Sequence, residues 1–507
     1  MQTSFESLEP FDEHNQKLQA NVHPVEYVNP EPAEKYNLVV IGAGAAGLVT
    51  SAGAAGVGAK VALVERGLMG GDCLNVGCVP SKGLISAARA FAAVRDAAEY
   101  GVEVPAGARV DFRKAMERMR QLRSEISPVD SVKRFNELGV DVFLGQATFV
   151  DSETIEVDGK RLKFAKAVIA TGARAAAPPI KGLQEVPYLT NETLFTLTEL
   201  PRRFGIIGAG PIGAEMAQSF ARFGSEVTLV TSERGLMPKE DPDAVKVVQQ
   251  SMERDGVRFV TGARGVVLSG EADGAVRLRY DHPTEGYDIV VDKLLIAVGR
   301  APNVEGLGLD KVGVEYSSQG VKIDDHFRTT HSKIYAAGDI CSPYQFTHAA
   351  DFMARSVIRN ALFMGRAKHS KLVIPWATYT SPELAHVGET RDSAKKKGVA
   401  IDTFEQSMAH VDRAILEGET TGFVRIHTKK GTDQIVGGTI VAPNAGDMIG
   451  ELSLAMSQGI GLGALAGAIH PYPTQAEAIR KVGDAYARTR FTPFVASVFK
   501  KWLSWMR

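Results

Sequence analysis

Hydrophobic and polar positions along this chain alternate between two periods. Leu38-Val39-Val40-Ile41, Val61-Ala62-Leu63-Val64, Ala167-Val168-Ile169-Ala170, Phe204-Gly205-Ile206-Ile207 and Leu294-Leu295-Ile296-Ala297-Val298 are short continuous apolar runs, the pattern of buried strands. Between them, 84–98 and 112–138 carry apolar residues at spacings of three and four and predict helices. Val140–Leu144 and Thr154–Val157 alternate and predict a small antiparallel layer beside the first sheet. From Pro375 the pattern changes to alternating strands, including 421–428 and 434–441, followed by helices around 447–458 and 474–488, a separate α+β module. The last stretch, 491–507, places Phe491, Phe494, Val495, Val498, Phe499, Trp502, Leu503 and Met506 on one helical stripe, with Lys500, Lys501 and Arg507 nearby. Packing against protein is expected here in preference to a membrane surface, because a few basic residues on so short a helix bind lipid weakly.

Composition narrows the class. A chain of 507 residues has room for about three domains. A formal net charge of -1 and no basic block argue against a nucleic-acid partner. Three cysteines are too few for a disulfide framework and point to a reducing compartment, the cytoplasm. Residues 1–35 are acidic and proline-containing, unlike a signal peptide. Residues 37–59 carry no charge, but Gly42, Gly44, Gly47, Gly53, Gly56 and Gly58 suit a strand, a tight turn and a closely packed helix better than a lipid-facing span.

Two glycine patterns carry chemistry. Gly42-Ala43-Gly44-Ala45-Ala46-Gly47 follows a strand, and the next strand ends at Glu65. The first glycines let the backbone approach a pyrophosphate at a helix N-terminus, the third lets helix and sheet pack closely, and Glu65 can accept from ribose hydroxyls. A second copy, Gly208-Ala209-Gly210-Pro211-Ile212-Gly213, follows Phe204–Ile207, and its second strand ends in Thr231-Ser232. Neither the acid expected for a free ribose hydroxyl nor the base expected for a 2′-phosphate stands there. Glu233 and Arg234 could serve either NADH or NADPH, with a lean toward NADPH. The strand ends Ala170-Thr171-Gly172 and Val298-Gly299-Arg300 echo each other, and Ala336-Ala337-Gly338-Asp339 sets an acid beyond a strand end, where a cofactor or a simple turn would use it.

Gly70-Gly71-Asp72-Cys73-Leu74-Asn75-Val76-Gly77-Cys78-Val79-Pro80-Ser81-Lys82 holds two of the three cysteines. On an ideal helix the two Cα atoms would lie roughly 8–9 Å apart, too far for a disulfide. Gly71 and Gly77 permit a departure from helical geometry between them, and Pro80 suits the first turn of a following helix. Cys78 then sits near a helix N-terminus with Lys82 one turn on, which favours a low-pKa, redox-active thiolate. A metal site would need about four ligands, and Cys341 is far away in sequence.

Two fingerprints around Cys-x4-Cys, the Ala-Ala-Gly-Asp segment and a terminal α+β module resemble the FAD-dependent pyridine nucleotide–disulfide oxidoreductases, over residues 36–490. The resemblance implies an α/β fold of two Rossmann-like domains plus a C-terminal α+β dimerisation domain. It divides the chain into an extension at 1–35, an FAD-binding domain at 36–175 and 298–370, an NAD(P)-binding domain at 176–297, the dimerisation domain at 371–490 and an amphipathic helix at 491–507. Gly42, Gly44, Gly47, Glu65, Gly71, Thr171, Gly172, Gly299 and Asp339 are implied to contact FAD or its surroundings, and Gly208, Gly210 and Gly213 the nicotinamide dinucleotide. Cys78 is implied to be the flavin-side thiol, Cys73 the exchanging thiol, and Lys82 and Glu215 an ion pair beside the flavin. A homodimer is implied, each subunit lending its partner the segment His470-Pro471-Tyr472-Pro473-Thr474-Gln475-Ala476-Glu477. Disulfide-reducing members carry His-Pro-Thr-x-x-Glu; here Tyr472 takes the histidine's place and His470 lies two residues early. Tyrosine is a poor base near neutrality. This segment, with 70–82, is similar to the mercuric reductase branch, but no cysteine follows Cys341, which is most simply a buried small residue, with a third flavin-side thiol as the alternative. Three roles follow: a reductase delivering electrons to a soft metal ion, a lipoamide or other disulfide reductase, and, from another class, a flavin-bearing redox sensor or interaction protein.

Overall fold

Strand Tyr36–Ile41 sends alternate side chains to opposite faces of its sheet: Leu38 and Val40 join one apolar cluster, Tyr36, Val39 and Ile41 another. Val61–Glu65 divides likewise, Val61 and Leu63 against Ala62 and Val64. A strand buried on both faces belongs to a parallel sheet covered on both sides. In the computed structural model, which describes residues 5–281 and 286–507, the strand order is Val140–Leu144, Val61–Glu65, Tyr36–Ile41, Lys160–Ile169, Thr154–Val157, Ala147–Asp151, with Ile334–Ala336 also on Lys160–Ile169. The extension at 1–35 and the nucleotide domain expected at 176–297 each include a stretch outside the described residues.

Lys160–Ile169 joins two pairing modes. Its first residues pair antiparallel with Thr154–Val157, and its last pair parallel with Tyr36–Ile41 and Ile334–Ala336. This corrects one expectation: Val140–Leu144 is a parallel strand beside Val61–Glu65, not a member of the antiparallel layer. It is the edge strand of the sheet, and side chains of the N-terminal segment meet its free flank: Tyr27 donates to the Val142 carbonyl and the Asn29 amide exchanges hydrogen bonds with Leu144. The helix expected over 112–138 is also interrupted. Phe112–Ile126 ends before a short 3-10 turn, Ser127–Asp130, and Val132–Glu137 is a separate helix capped by Ser131. Pro128 explains the break, since it has no N–H to continue the helical ladder.

The second glycine pattern opens a parallel sheet in the order Arg258–Val260, Glu226–Val230, Arg203–Ile207, Lys293–Ile296. A three-stranded antiparallel meander, Arg264–Gly270, Val276–Asp281 and Tyr287–Val291, accompanies it. Both sheets lie in one compact unit, 1–233 with 258–372; the other unit comprises 234–257 and 373–507. The second unit is built on a five-stranded antiparallel sheet, Pro375–Thr378, Glu383–Gly388, Ile435–Ala442, Phe423–Lys429, Ile401–Ser407. Helices Ala445–Gln458 and Glu477–Arg490 cover it with Ile449, Leu452, Ile479 and Val482.

Helix Pro242–Arg254 is tied into this second unit by charge. Asp241, its buried N-cap, accepts from Arg425 at 2.6 Å, and Asp243 accepts from the same guanidinium at 2.9 Å. Glu405 accepts from Arg425 Nε at 2.7 Å, and the Arg425 guanidinium lies over the Phe423 ring. Arg425 and Asp241 are almost wholly buried, so removing one partner strands a charge. Arg425→Ala is expected to lower the unfolding free energy of this unit by about 3–5 kcal/mol, read from urea unfolding followed by circular dichroism. A loss below about 1 kcal/mol, typical of an exposed pair, would contradict it.

Candidate active site

Cys73 and Cys78 stand at the junction of two helices. Gly71–Asn75 forms a single helical turn, the chain breaks at Val76 and Gly77, and Cys78 opens the helix Cys78–Arg95. Gly77 is required by close approach, because a Cβ there would lie 2.7 Å from the Asp72 carbonyl oxygen. Gly71 enters with φ of 55° and faces Gly44, where a Cβ would come within 2.7 Å of the Gly44 Cα. The departure from helical geometry is thus confined to Val76 and Gly77, and it brings the two sulfurs into hydrogen-bonding contact.

Both sulfurs are free thiols, Cys78 exposed and Cys73 half-buried. Their surroundings separate them electrically. The hydrogen bond from Cys73 pulls the Cys78 thiol down to about 6, against the burial that opposes it, with help from the Thr347 hydroxyl and the Lys82 charge. Thr347 Oγ1 lies 3.4 Å from Cys78 Sγ. Cys73 is pushed the other way by its hydrogen bond to Cys78 and by burial. At neutral pH the pair holds one thiolate, and Cys78 carries it. Lys82 Nζ donates to Glu215 Oε2 at 2.9 Å, and Glu215 is buried in the helix Pro211–Phe223.

Several partners of this site escaped sequence reasoning. Arg300 joins the Asp72 carboxylate, next to Cys73, to Asp339 at 3.4 Å. Burial raises Asp339 to about 6 while Arg300 opposes the shift. Arg123, fully buried, donates to the Asn75 carbonyl at 2.5 Å, inside the Cys73–Cys78 stretch, and to Asn15 Oδ1 at 2.6 Å. Asn15 belongs to the helix Glu13–Val22, whose Leu18 and Val22 enter the same apolar cluster as Leu74. Arg120 anchors that helix through Asp12 at 2.6 Å. An N-terminal extension that carried only a charge signal in sequence therefore braces the dithiol stretch from outside. Two arginines three apart on a predicted amphipathic helix were the available clue; their partners, 48 and 108 positions away, were not legible. Cys341 is half-buried, its thiol pushed up by desolvation, and its sulfur lies 3.6 Å from the Gly338 carbonyl.

The first glycine turn packs backbone on backbone. A Cβ at Gly42 would come within 2.4 Å of the Ala170 oxygen, and one at Gly47 within 1.7 Å of the Gly42 oxygen. Glu65 accepts from Ala43 N at 2.6 Å and Gly67 N at 2.7 Å, and burial raises its pKa. Gly42, Glu65 and Thr171 line one groove with Asn303, which donates to the Thr171 carbonyl. In the second turn, Gly208 and Gly213 are packed against backbone, whereas Gly210 faces open space at the head of Pro211–Phe223. Gly172 and Gly299 both have positive φ, beside the pairing of Ala173–Ala175 with Arg300–Pro302.

The C-terminal segment lies in the second unit. Tyr472 donates to Asp412 at 2.8 Å, which raises its pKa. The His470 ring contacts Glu451 at 3.1 Å. Glu477 is held by Arg480 at 2.8 Å and Lys481 at 3.7 Å on its own helix. The cations at i+3 and i+4 therefore engage the Glu477 carboxylate on its own helix.

A Cys73–Cys78 dithiol thus stands beside a Lys82–Glu215 pair, in a unit whose two parallel sheets each carry a glycine turn. The family follows from comparison. Residues 36–354 match the pyridine nucleotide-disulphide oxidoreductases and residues 374–482 match their dimerisation domain; the chain belongs to this family, uses FAD and NAD(P)H, and carries the domain that supports a homodimer. It is 35% identical over 455 residues to a mercuric reductase of Bacillus cereus, covering 89% of this chain and 72% of that protein. It is 34% identical over 446 residues to a dihydrolipoyl dehydrogenase of Staphylococcus aureus, covering 87% and 94%. Among solved structures it resembles the Cu(II) complex of the HOCl-induced flavoprotein disulfide reductase RclA from Escherichia coli, with a TM-score of 0.78, 27% identity, and 89% and 100% of the two chains covered. LpdA from Mycobacterium tuberculosis gives a TM-score of 0.81 at 26% identity, over 89% and 99%.

The Cys78 environment predicts a pH profile. In the reduced protein, alkylation of Cys78 by iodoacetamide should be near its plateau at pH 7 and fall about tenfold per pH unit well below pH 6, as the thiolate is protonated. Lys82→Met should move the midpoint upward by removing a favourable charge. A midpoint at the ordinary thiol value, about 8.5, would contradict the assignment.

Proposed function

We propose that this protein passes electrons from NAD(P)H, by way of FAD, to the Cys73–Cys78 pair and from there to a thiol-reactive acceptor, with soft metal ions as the leading acceptor class. Bound FAD supplies the two-electron relay between nicotinamide and sulfur. Gly42, Gly44, Gly47, Glu65, Gly71, Thr171, Gly172, Gly299 and Asp339 would hold it, and Gly208, Gly210 and Gly213 would hold the nicotinamide dinucleotide. The fit rests on the open space beside Gly210, on the lack of any contact closer than 3.7 Å at Gly44, and on helix N-termini that favour phosphate.

Within that frame, Cys78 is the thiolate that takes the inner position, its charge balanced by Lys82, and Glu215 holds the lysine in place. Cys73 is the outer sulfur. Its hydrogen bond stabilises the Cys78 thiolate in the resting dithiol, and on releasing its proton it coordinates the incoming ion or attacks an incoming disulfide. Two electrons leave the thiolate–thiol pair to the acceptor, and one proton, that of Cys73, is released for each Cys73–Cys78 disulfide formed.

The observation that carries the metal reading is the disposition of the C-terminal segment. Tyr472 is tied to Asp412 with its pKa raised, and Glu477 is neutralised by Arg480 and Lys481. A soft metal ion bound by thiolate needs no proton from such a group, whereas a disulfide substrate needs one for its leaving thiolate. The mercuric reductase relatives agree in direction. One feature favours the second reading, a lipoamide or other disulfide reductase: the His470–Glu451 contact is a histidine–carboxylate pair of the kind that orients an acid–base.

An anaerobic acceptor screen with NADH and NADPH separates the two. Hg(II) or Cu(II) should be reduced faster than lipoamide or glutathione disulfide. His470→Ala should change metal-ion turnover by less than about threefold, against the 10²-fold or greater loss expected when a working acid–base is removed. Faster disulfide turnover that collapses in His470→Ala would replace the metal reading with the second one.

A further inference from the structure

The helix Pro493–Trp505 has no buried residue. At 3.6 residues per turn, Phe494, Val498, Trp502, Trp505, Phe499 and Leu503 fall within one half of its circumference, while Lys500, Lys501 and Arg507 fall in the other. The apolar half is left open by the rest of its own chain: Phe494 is 76% exposed, Trp502 55% and Trp505 77%. The aromatics meet one another instead, Phe491 with Phe499 at 5.8 Å and Trp502 with Trp505 at 5.2 Å between ring centres. The helix lies beyond residue 482, where the match to the family's dimerisation domain ends.

Charge selects among the surfaces that could cover this face. After Asp484 the chain has no acidic residue, whereas Arg488, Arg490, Lys500, Lys501 and Arg507 are all basic. A second copy of the helix would bring one such cationic segment against another. An anionic lipid surface answers both halves at once: aromatic and aliphatic groups enter the boundary between headgroups and acyl chains, and the lysines meet headgroup phosphates. Thirteen helical residues span about 20 Å, well short of the roughly 30 Å hydrocarbon core. Among the described residues no helix is long and apolar enough to cross a membrane. The orientation is therefore in the plane of the surface.

We propose that the helix Pro493–Trp505 docks this protein onto anionic lipid, lying in the interface with its Trp502 and Trp505 side inward. A homodimer carries two such helices, which multiplies an individually weak attachment. This departs from the expectation that the stripe packs on protein, since no part of the chain itself buries it.

The test is flotation of the full-length holoprotein with vesicles of phosphatidylcholine alone and of phosphatidylcholine mixed with phosphatidylglycerol. The protein should float with the mixed vesicles, show blue-shifted tryptophan emission there, and detach as salt is raised. Lys500→Glu with Lys501→Glu should weaken binding at least about tenfold, and Trp502→Glu with Trp505→Glu should abolish it, while the rate of NAD(P)H oxidation in solution is unchanged in both. No flotation with the mixed vesicles, or equal flotation with phosphatidylcholine alone, would overturn the proposal. So would conversion of dimer to monomer by the tryptophan variant without any lipid binding, which would assign the face to a second copy.

Discussion

Two sulfurs five residues apart must meet, and an unbroken helix would keep them apart. The break at Val76 and Gly77 is what the rest of the site depends on. Gly77 approaches the Asp72 carbonyl too closely for any side chain, and Arg123 holds the Asn75 carbonyl from the far side. Once the sulfurs touch, one hydrogen bond lowers Cys78 and raises Cys73. Lys82 and Thr347 reinforce that asymmetry, so the two sulfurs differ in acidity from position alone.

The sheet around this break supplies fixed points for both ends. The stretch starts just after the strand Val61–Glu65, whose terminal acid is held by the first glycine turn, and it runs into the helix that carries Lys82. Arg300 adds a crosslink from Asp72 to Asp339, so the acid beyond Ile334–Ala336 and the residue preceding Cys73 share one cation. The helix Glu13–Val22 completes the brace through Asn15 and Arg123. Burying Leu18 and Val22 contributes about 1.5–3 kcal/mol each toward holding the helix Glu13–Val22 against the sheet cluster.

Much of this was legible without coordinates, and for identifiable reasons. Glycine turns between apolar strands, the Cys-x4-Cys stretch and the placement of Lys82 are local patterns, each set by steric or electrostatic rules acting over a few residues. What failed to show depended on distant partners. Val140–Leu144 alternates like an antiparallel strand, but Val61–Glu65 takes it up in parallel. Arg123 and Asn15 lie 108 positions apart, and nothing in either neighbourhood names the other. Asp412 and Glu451 became visible as partners of Tyr472 and His470 only through the fold. Glu477 is a different case: Arg480 and Lys481 stand at i+3 and i+4, a spacing that signals local ion pairs, and the competition for its carboxylate could have been read directly. Pro128 likewise announced the end of Phe112–Ile126.

The central claim is that Cys73 and Cys78 form the electron-carrying pair and that Cys341 takes no part. Because the chain has three cysteines in all, counting thiols together with peptide mapping of the one that stays alkylatable in the oxidised form, expected to be Cys341, decides it. Titration of the denatured holoprotein, quenched anaerobically before and after reduction by NAD(P)H, should find one thiol in the oxidised form and three in the reduced form. Three thiols before and after reduction would contradict the account.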